Sequence, residues 1–265
     1  MSKESIWASA TIAYQLSKPY LPLMIQEFIH RFITDYSYLQ VYALTVIYFL
    51  LLYFVLGPLF LYTCKVLEKL QVLHQIQSTP KPNKNIRYEI KNSFRSILIF
   101  GFSSLPVIYF VRTGFMVLLP DSVWVTLVGL ALLIVWNEIH FFLVHRVMHW
   151  PVCYRYIHYM HHVSKIPTVY SVFSFHPVEA FLLSTVEVTL VLFVPLSTTA
   201  IFLYPLVSIL LNYAGHCNYR FGNGTGSAWH LFGTRHSTHH YRNTNQYGFA
   251  SPLLDKLFSF HKKHK

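Results

Sequence analysis

Residues 41–63 carry no charge and are strongly apolar. A helix needs about 20 consecutive apolar residues to cross a bilayer core, so this stretch is long enough to span a membrane. Only 12% of the 265 residues are charged, whereas soluble domains carry about 25%. Together with a mean hydropathy of +0.39, this composition predicts a helical membrane protein.

Two further apolar regions lie close together in the middle of the chain. Residues 97–119 are interrupted by one charge, Arg112, and residues 122–136 carry none. Pro120 and Asp121 separate them and are typical of a tight turn. These regions therefore predict a second and a third membrane span joined by a short turn.

The last apolar region, residues 181–214, carries a single charge at Glu187 and is broken at Pro195. Each half is short for a full crossing, so the region predicts a helical hairpin that spans or re-enters the membrane. Residues 1–38 predict an interfacial segment, and residues 39–265 a single membrane-embedded domain. The predicted fold is all-α and multi-pass, with about four transmembrane helices in two hairpins.

The formal net charge is +11, and the basic residues flank the apolar spans. Such charge sets membrane topology and contacts lipid headgroups, and it gives no reason to expect nucleic-acid binding. By the positive-inside rule these residues are cytoplasmic, and the number of predicted crossings between them agrees. They are Lys65, Lys69, Lys81, Lys84, Arg87, Lys91, Arg95, Arg146, Arg155, Lys165, Lys256, Lys262, Lys263 and Lys265.

Twelve of the 16 histidines lie between residues 140 and 240, most of them in three short clusters. The second cluster is His-Tyr-Met-His-His at 158–162, and the third is His-Ser-Thr-His-His at 236–240. Positions i, i+3 and i+4 share one face of an α-helix, so the histidines of each cluster can aim at a common point. Neutral imidazole binds iron, zinc, copper or nickel, and the clusters predict a metal site without choosing the metal.

The first cluster, at 140–149, is less regular. His145 and His149 share a helix face. The side chains of His140 and His145, in contrast, point about 140° apart around the axis of an ideal helix. Either one of these side chains reaches around the helix or the helix is distorted. About ten histidine nitrogens exceed what one ion can bind, and we predict a site for two. The three cysteines form no CxxC pair, so neither a thiolate zinc site nor a disulfide framework is predicted.

Four segments carry a family resemblance. They are Asn-Glu-Ile-His-Phe-Phe-Leu-Val-His-Arg-Val-Met-His at 137–149, Tyr-Arg-Tyr-Ile-His-Tyr-Met-His-His at 154–162, Ser-Phe-His-Pro-Val-Glu at 174–179, and His-Ser-Thr-His-His-Tyr-Arg-Asn-Thr-Asn-Gln-Tyr-Gly at 236–248. In this order they resemble the fatty acid hydroxylase superfamily of sterol desaturases, sterol C4-methyl oxidases and sphingolipid hydroxylases. The resemblance covers about residues 85–260, with a motif core at about 130–255. It implies a four-span anchor and a cytosolic helical cap that holds a non-haem di-iron centre.

The resemblance also implies the residues of that centre. The expected metal ligands are His140, His145, His149, His158, His161, His162, His216, His236, His239 and His240. Some members carry a further histidine where this chain has Arg220, so the ligand set is smaller or His230 substitutes. Glu138, Arg146, His176 and Glu179 are expected to contact the ligands, and the alternative for Arg146 is a salt bridge at a helix end. No catalytic residue is expected beyond the metal ligands.

The implied activity is O2-dependent hydroxylation or desaturation of an aliphatic carbon in a membrane lipid, with a sterol-like substrate favoured. A sphingolipid or fatty-acyl hydroxylase of the same superfamily is the alternative. Two iron ions are the expected cofactors, and zinc can replace them in a purified sample. The chain has no recognisable flavin-binding or haem-binding segment, and residues 222–226 predict a loop. Electrons are therefore expected from a donor of the cytochrome b5 or ferredoxin-reductase type.

Two functions of other classes remain open from the residues alone. A divalent-metal transporter also combines membrane spans with histidines, but it should place several ionisable residues deep in the membrane, and here Glu187 is the clear case. A non-catalytic histidine-rich membrane protein is the other.

Two further features concern location. The last four residues, Lys-Lys-His-Lys at 262–265, match the KKxx pattern of endoplasmic-reticulum retrieval, with an ordinary basic tail as the alternative. They predict the endoplasmic-reticulum membrane in a eukaryote, and the inner membrane is expected in a bacterium. The first residues show no basic segment with a cleavage site, so no signal peptide is predicted.

Overall fold

A computed structural model describes residues 23–77, 85–221, 233–243 and 246–258. Over these residues the chain is a helical bundle with one two-stranded antiparallel ribbon, which confirms the all-α prediction. The α-helices are α1 (Leu23–Thr34), α2 (Tyr38–Leu51), α3 (Gly57–Lys69), α4 (Ile86–Phe100), α5 (Ser104–Arg112), α6 (Val123–Met148), α7 (Pro151–Cys153), α8 (Tyr159–His162), α9 (Pro177–Ser184), α10 (Val186–Val191), α11 (Thr198–His216), α12 (Thr234–Arg242) and α13 (Leu253–Phe258). Single π-helical turns cover Leu52–Leu56 and Tyr154–His158, a 3-10 turn covers Val169–Ser171, and the strands are β1 (Leu73–Gln75) and β2 (Tyr219–Phe221).

Four helical segments of the described chain are long and apolar enough to cross a membrane. They are Tyr38–Lys69, Ile86–Arg112, Val123–Met148 and Thr198–His216. Large apolar side chains on their outer faces are exposed, among them Val55, Leu59, Val128 and Val135. A bundle that presents such a surface requires an apolar solvent, so the multi-pass prediction is confirmed.

The second span ends earlier than the sequence predicts. Its helix stops at Arg112, and the apolar residues 113–119 belong to the turn instead. Gly114 adopts a positive φ of 73°, which breaks the helix. The Arg112 guanidinium then donates hydrogen bonds of 2.6 Å to the carbonyls of Ile33 and Tyr36. These bonds hold the end of α5 beside α1. Hydropathy alone cannot detect such a stop, because the turn is as apolar as the helix.

The last apolar region forms the predicted hairpin. Its first arm is the pair of short helices α9 and α10, and its second arm is α11, which begins after Ser197 caps the amide of Ala200. The hairpin tip contacts the turn that precedes α6, since Leu119 N–H donates to the Leu196 carbonyl and Thr199 N–H to the Asp121 carboxylate. Both turns therefore lie at one end of the bundle.

The opposite end of the bundle carries the histidine motifs. There β1, which follows α3, pairs with β2, which follows α11, so the ends of these two helices lie side by side. The fully buried Glu89 of α4 accepts hydrogen bonds from the hydroxyls of Ser164 (2.6 Å) and Thr168 (2.7 Å). This network attaches the loop that follows α8 to the bundle.

Next to the histidine end, the π-helical turn Leu52–Leu56 of the first span packs closely against α11. A π turn shifts the backbone hydrogen-bond ladder, and the Tyr213 hydroxyl donates to the Leu52 carbonyl at 2.8 Å. A Cβ at Gly57 would lie 2.8 Å from that hydroxyl oxygen, so the glycine allows the close approach. The buried core around this contact includes Tyr53, Phe100 and Phe173.

Several predictions fall outside the described residues. They concern residues 1–22 of the interfacial segment, His230, the loop at 222–226 and the KKxx pattern at 262–265.

Candidate metal centre

The structure brings nine of the ten predicted histidine ligands together at one end of the bundle. Eight of the nine are buried, and His149 is half-buried. They form two groups. Within each group, every histidine contributes one ring nitrogen, and these nitrogens all lie within 4.8 Å of one another. The five-histidine group comprises His145, His149, His158, His162 and His239, and the four-histidine group comprises His161, His216, His236 and His240.

Each HxxHH cluster divides between the two groups, whereas the spacing predicts a common target for all three of its histidines. His158 and His162 belong to the five-histidine group, and His161 belongs to the other. The third cluster divides in the opposite sense, because only its middle histidine, His239, joins the five-histidine group. Residues i and i+4 lie about 40° apart on a helix, whereas consecutive residues lie about 100° apart. An adjacent pair of histidines can therefore serve two neighbouring ions.

The spacing of the imidazole nitrogens fits metal coordination. The Nε2 atom of His239 lies 3.0 Å from Nε2 of His149 and 3.2 Å from Nε2 of His162. In the other group, Nε2 of His240 lies 3.1 Å from Nε2 of His236. Ligands about 2.1 Å from one ion and at right angles to each other lie roughly 3 Å apart. Lone pairs at this separation repel unless a cation or a proton lies between them.

The two groups adjoin. The rings of His162 and His240, one from each group, are stacked with their centroids 4.7 Å apart. Two ions held by these groups would be immediate neighbours.

Outer partners fix the orientation of three of the rings. Nδ1 of His145 donates to the Tyr247 carbonyl at 3.0 Å, and Nδ1 of His216 donates to the Asn212 carbonyl at 2.9 Å. Since a carbonyl can only accept, Nδ1 carries the proton and Nε2 presents a lone pair. These two Nε2 atoms are buried without a hydrogen-bond partner among the described residues. Their lone pairs are therefore available to coordinate a metal ion.

The third oriented ring is His158, whose Nδ1 lies 2.8 Å from Oε1 of the buried Glu179. Carboxylates in this position orient a ligating imidazole and raise its basicity. Glu179 therefore contacts one of the nine clustered histidines, and its place behind a metal ligand stays a prediction. It lies in the first turn of α9, which packs against the π-helical turn Tyr154–His158.

Burial favours the neutral form of several of these histidines. It lowers the pKa of His161, His236 and His240 well below the ordinary 6.5, and the neighbouring histidines lower it further. Burial and then His158 lower the pKa of His149 to about 2. Neutral imidazole is the form that binds a metal ion.

His140 lies outside both groups. It is five residues before His145, and its Nε2 lies 3.0 Å from the Thr185 hydroxyl oxygen. The helix α6 runs from Val123 to Met148, so the angle of about 140° between the two side chains is not relieved. The structure places its ring on the hairpin, and a ligand role for His140 stays a prediction that the geometry does not support.

The other residues expected near the ligands have different contacts. Glu138 accepts hydrogen bonds from the amides of Ala250 and Ser251, so it anchors the segment after the third cluster. The Arg146 guanidinium lies over the Phe142 ring, 5.7 Å from its centroid. These contacts support the segments that carry histidines, without a direct bond to an imidazole in the described structure.

The two remaining positions also lie apart from the nine histidines. His176 caps α9, where its Nδ1 accepts from the Val178 amide. Arg220, which replaces a histidine of some family members, lies on β2 opposite His74.

Sequence reasoning missed the support behind His145. Asp255 of α13 accepts hydrogen bonds from the amides of Tyr247 and Gly248 and pairs with Arg235 of α12. This clamp holds the carbonyl that orients His145. A backbone carbonyl leaves no trace in a sequence pattern, although Tyr247 and Gly248 belong to the resembling segment.

An apolar cavity lies within the bundle beside the histidines. Phe141 and Phe175 line it, and their ring centroids lie 4.9 Å from that of His145 and 4.7 Å from that of His161. Asn212, whose carbonyl supports His216, lines the same cavity. An aliphatic ligand in this cavity would therefore lie about one side chain away from each histidine group.

Comparison with known proteins agrees with this arrangement. Residues 130–259, which contain all nine clustered histidines, match the fatty acid hydroxylase family. The chain belongs to the fatty acid hydroxylase superfamily. It is 27% identical over 201 residues to a Delta(7)-sterol 5(6)-desaturase of Gibberella zeae, covering 71% of this chain and 60% of the relative. A probable Delta(7)-sterol 5(6)-desaturase of Neurospora crassa is 25% identical over 190 residues, covering 67% of this chain and 53% of the relative.

A further relative is a fatty acid hydroxylase of Mycosarcoma maydis. It is 28% identical to the chain over 130 residues, which is 49% of this chain and 32% of the relative. The matches therefore span between about a third and three fifths of the length of these relatives. No solved structure matches the chain.

Proposed function

We propose that this protein is an O2-dependent lipid oxidoreductase that hydroxylates or desaturates an aliphatic carbon of a membrane lipid. The observation that carries the proposal is an apolar cavity in a bundle of candidate membrane spans, with lining side chains that contact both adjoining histidine groups. The family and its desaturase and hydroxylase relatives support the same reaction class. A sterol-like substrate is favoured because two of these relatives are named as sterol desaturases.

The proposed cofactors are two iron ions, one in each histidine group. The five-histidine group exceeds the four ligands that zinc usually takes in proteins, whereas iron accepts five or six. When bound, the iron would supply the O2 chemistry that no side chain can provide. Zinc can still occupy the site in a purified sample, because it binds nitrogen ligands more tightly than ferrous iron does.

The chain's own residues perform the remaining tasks. Glu179 and the carbonyls of Tyr247 and Asn212 hold the imidazoles in the tautomer that presents Nε2. Phe141 and Phe175 form an apolar approach that positions an aliphatic chain and excludes water. Because the histidines themselves are buried, the reacting carbon would be separated from bulk solvent.

We propose that the histidine end faces the cytosol. Lys65 and Lys69 end α3 and Arg87 and Lys91 begin α4, so the described basic residues of this loop lie at that end. This placement follows the positive-inside rule. An external donor of the cytochrome b5 or ferredoxin-reductase type would deliver electrons there, and the endoplasmic reticulum is the proposed location in a eukaryote.

A fatty-acyl hydroxylase is the second candidate, because the Mycosarcoma maydis relative carries that name. A narrow apolar cavity accepts an acyl chain as readily as a sterol, so cavity shape alone does not separate these substrates.

The test is an assay of the purified, iron-loaded protein with a reduced electron donor, O2 and a panel of sterols, ceramides and acyl lipids. Mass spectrometry is expected to show a product 16 mass units heavier or 2 lighter in one lipid class, only when O2 is present. The His239→Ala variant, prepared in parallel, should be inactive. Products that form equally without O2, or only from a water-soluble substrate, would contradict the proposal.

A further inference from the structure

Glu187 is a carboxylic acid buried deep in the bundle. It lies on α10 in the membrane hairpin and is only 7% exposed. Its Oε1 atom is fully buried and has no hydrogen-bond partner among the described residues. The phenols that face it are committed to other acceptors, since Tyr204 donates to Asn137 at 2.7 Å and Tyr48 donates to the Phe202 carbonyl at 3.0 Å.

The position of Glu187 connects two cavities. It lines both the cavity beside the histidines and a second apolar cavity. Phe49, Ser103 and Pro205 also line both, so the four residues mark the junction. Along α11 the first cavity extends from Asn212 to Pro205, about 10 Å at 1.5 Å per residue.

The second cavity continues along α11 from Pro205 to Thr198, which adds about 10 Å. The two cavities together follow most of the length of one membrane helix. A lipid lying along them would pass Glu187 near its middle.

An unpaired carboxyl group is costly in such a place. Burial of a polar group without a hydrogen bond costs free energy, and an isolated carboxylate costs far more. Ionisable residues within membrane spans are therefore rare and usually mark a pathway or a binding site. Glu187 belongs to neither histidine group. A hydrogen-bond donor on a ligand would remove the cost.

We propose that Glu187 binds a hydroxyl group on the lipid substrate, while the apolar parts of that lipid fill the two cavities on either side. This inference rests on the proposed lipid-oxidising function for the nature of the ligand. A hydroxyl fits better than an ammonium group, because an ammonium has three donors and the junction otherwise offers only Ser103 and apolar side chains. Glu187 would thus fix how far the lipid enters the two cavities. The lipid hydroxyl would then lie about one cavity length from the histidines.

The experiment measures equilibrium binding to the purified, metal-loaded protein in detergent, without O2 or an electron donor. Two probe pairs are used: cholesterol with its 3-deoxy analogue, and a long-chain alcohol with the matching alkane. We expect at least one pair to show about tenfold tighter binding of the hydroxylated member, the effect of one buried hydrogen bond. The pair that discriminates identifies the source of the hydroxyl as a sterol or a chain lipid.

Three variants separate recognition from packing. Glu187→Leu should abolish the preference by weakening the hydroxylated probe about tenfold while the deoxygenated probe keeps its affinity. Glu187→Gln retains an acceptor and should keep most of the preference, which also covers the case in which the leucine variant does not fold. Ile209→Ala, at an apolar position of the first cavity, should weaken both members of a pair alike.

The proposal is overturned if neither pair discriminates in the unmodified protein, or if the preference survives in Glu187→Leu. Since no turnover is involved, these outcomes are independent of the proposed function. A protein that shows the Glu187-dependent preference but oxidises no lipid would contradict the proposed function alone.

Discussion

At the scale of single residues, the candidate metal centre depends on groups that lie outside the two histidine groups. Each oriented imidazole has a hydrogen-bond acceptor behind Nδ1, and Glu179 behind His158 is the one acceptor that a substitution can remove. Glu179 is 3% exposed, so no solvent replaces it. The acceptors behind His145 and His216 are backbone carbonyls, which mutation of their own side chain leaves in place.

We expect Glu179→Gln to weaken metal binding by about 10- to 100-fold, because the amide is a poorer acceptor and holds the His158 ring less firmly. The measurement is metal content by elemental analysis after dialysis against a graded series of chelator concentrations. Glu138→Gln is the matched control, since that carboxylate holds the amides of Ala250 and Ser251 rather than an imidazole. Equal metal loss in both variants would show that Glu179 has only a general structural role.

The sequence predicts which histidines gather but not how they divide. Spacing identifies eight of the nine that cluster, because i, i+4 pairs share a helix face, and the family resemblance adds His216. The division of each HxxHH cluster between two groups depends on how α6, α8, α11 and α12 pack, which no local pattern contains. His140 differs from these nine: the family motif includes it, but its ring contacts Thr185 outside both groups, so its role as a ligand stays a prediction.

At the scale of elements, the third histidine motif depends on how α12 begins. Gly233 precedes α12 with a φ of 80°, and a Cβ there would lie 2.5 Å from the carbonyl oxygens of Ala214 and Tyr219. The glycine thus allows the helix to start directly against the end of α11. That contact brings His236 beside His216, with ring centroids 4.5 Å apart.

Gly233→Ala should therefore lower both the thermal midpoint and the metal content. Gly114→Ala is a close control, because Gly114 has a φ of 73° with no atom within 4 Å of its Cβ position. Both variants incur the cost of a left-handed alanine, about 1–2 kcal/mol, but only Gly233→Ala displaces α12. Thermal unfolding and elemental analysis of the two proteins would measure the difference. If Gly114→Ala loses as much metal as Gly233→Ala, the carbonyl contacts at Gly233 are not the cause.

The sequence predicts the spans better than their ends. Apolar stretches identify all four regions, because apolar side chains face lipid most favourably. The third span nevertheless continues twelve residues beyond the predicted limit at 136, to Met148, and carries the first histidine cluster at its end. Polar residues such as Asn137 are accommodated there by partners on other helices, in this case the Tyr204 hydroxyl. Such pairing is a tertiary property, so a count of apolar residues ends too early.

At the scale of the whole molecule, the buried histidines make the stability of the metal-free protein depend on pH. The pKa of His161, His236 and His240 is lowered in the folded state, whereas in the unfolded chain it is about 6.5. As the pH falls below about 6.5, the unfolded state takes up more protons than the folded state, so stability decreases. Without a metal, the folded state with its buried histidines is therefore at its most stable only at neutral or higher pH.

We expect the thermal midpoint of chelator-treated protein to fall between pH 7.5 and pH 5.5, as measured in detergent. His161→Phe removes one of the titrating groups and should make the dependence shallower. A midpoint that stays constant or rises over this range would contradict the buried, neutral state of the cluster.

Membrane insertion should be independent of the metal centre. The spans are set by apolar length and flanking basic residues, not by the histidines. His239→Ala is therefore expected to abolish turnover while the protein remains in the membrane pellet after carbonate extraction. Release of the variant into the supernatant would show that the cluster is needed for integration itself.

The count of metal ions per chain tests the central claim most directly. Elemental analysis of the unmodified, metal-loaded protein should give two ions per chain. His216→Ala removes a ligand from the four-histidine group alone, and one tightly bound ion should then remain. A well-loaded preparation with one ion or none, or a His216→Ala variant that still holds two equally tight ions, would contradict the account of two adjoining histidine groups that each bind a metal.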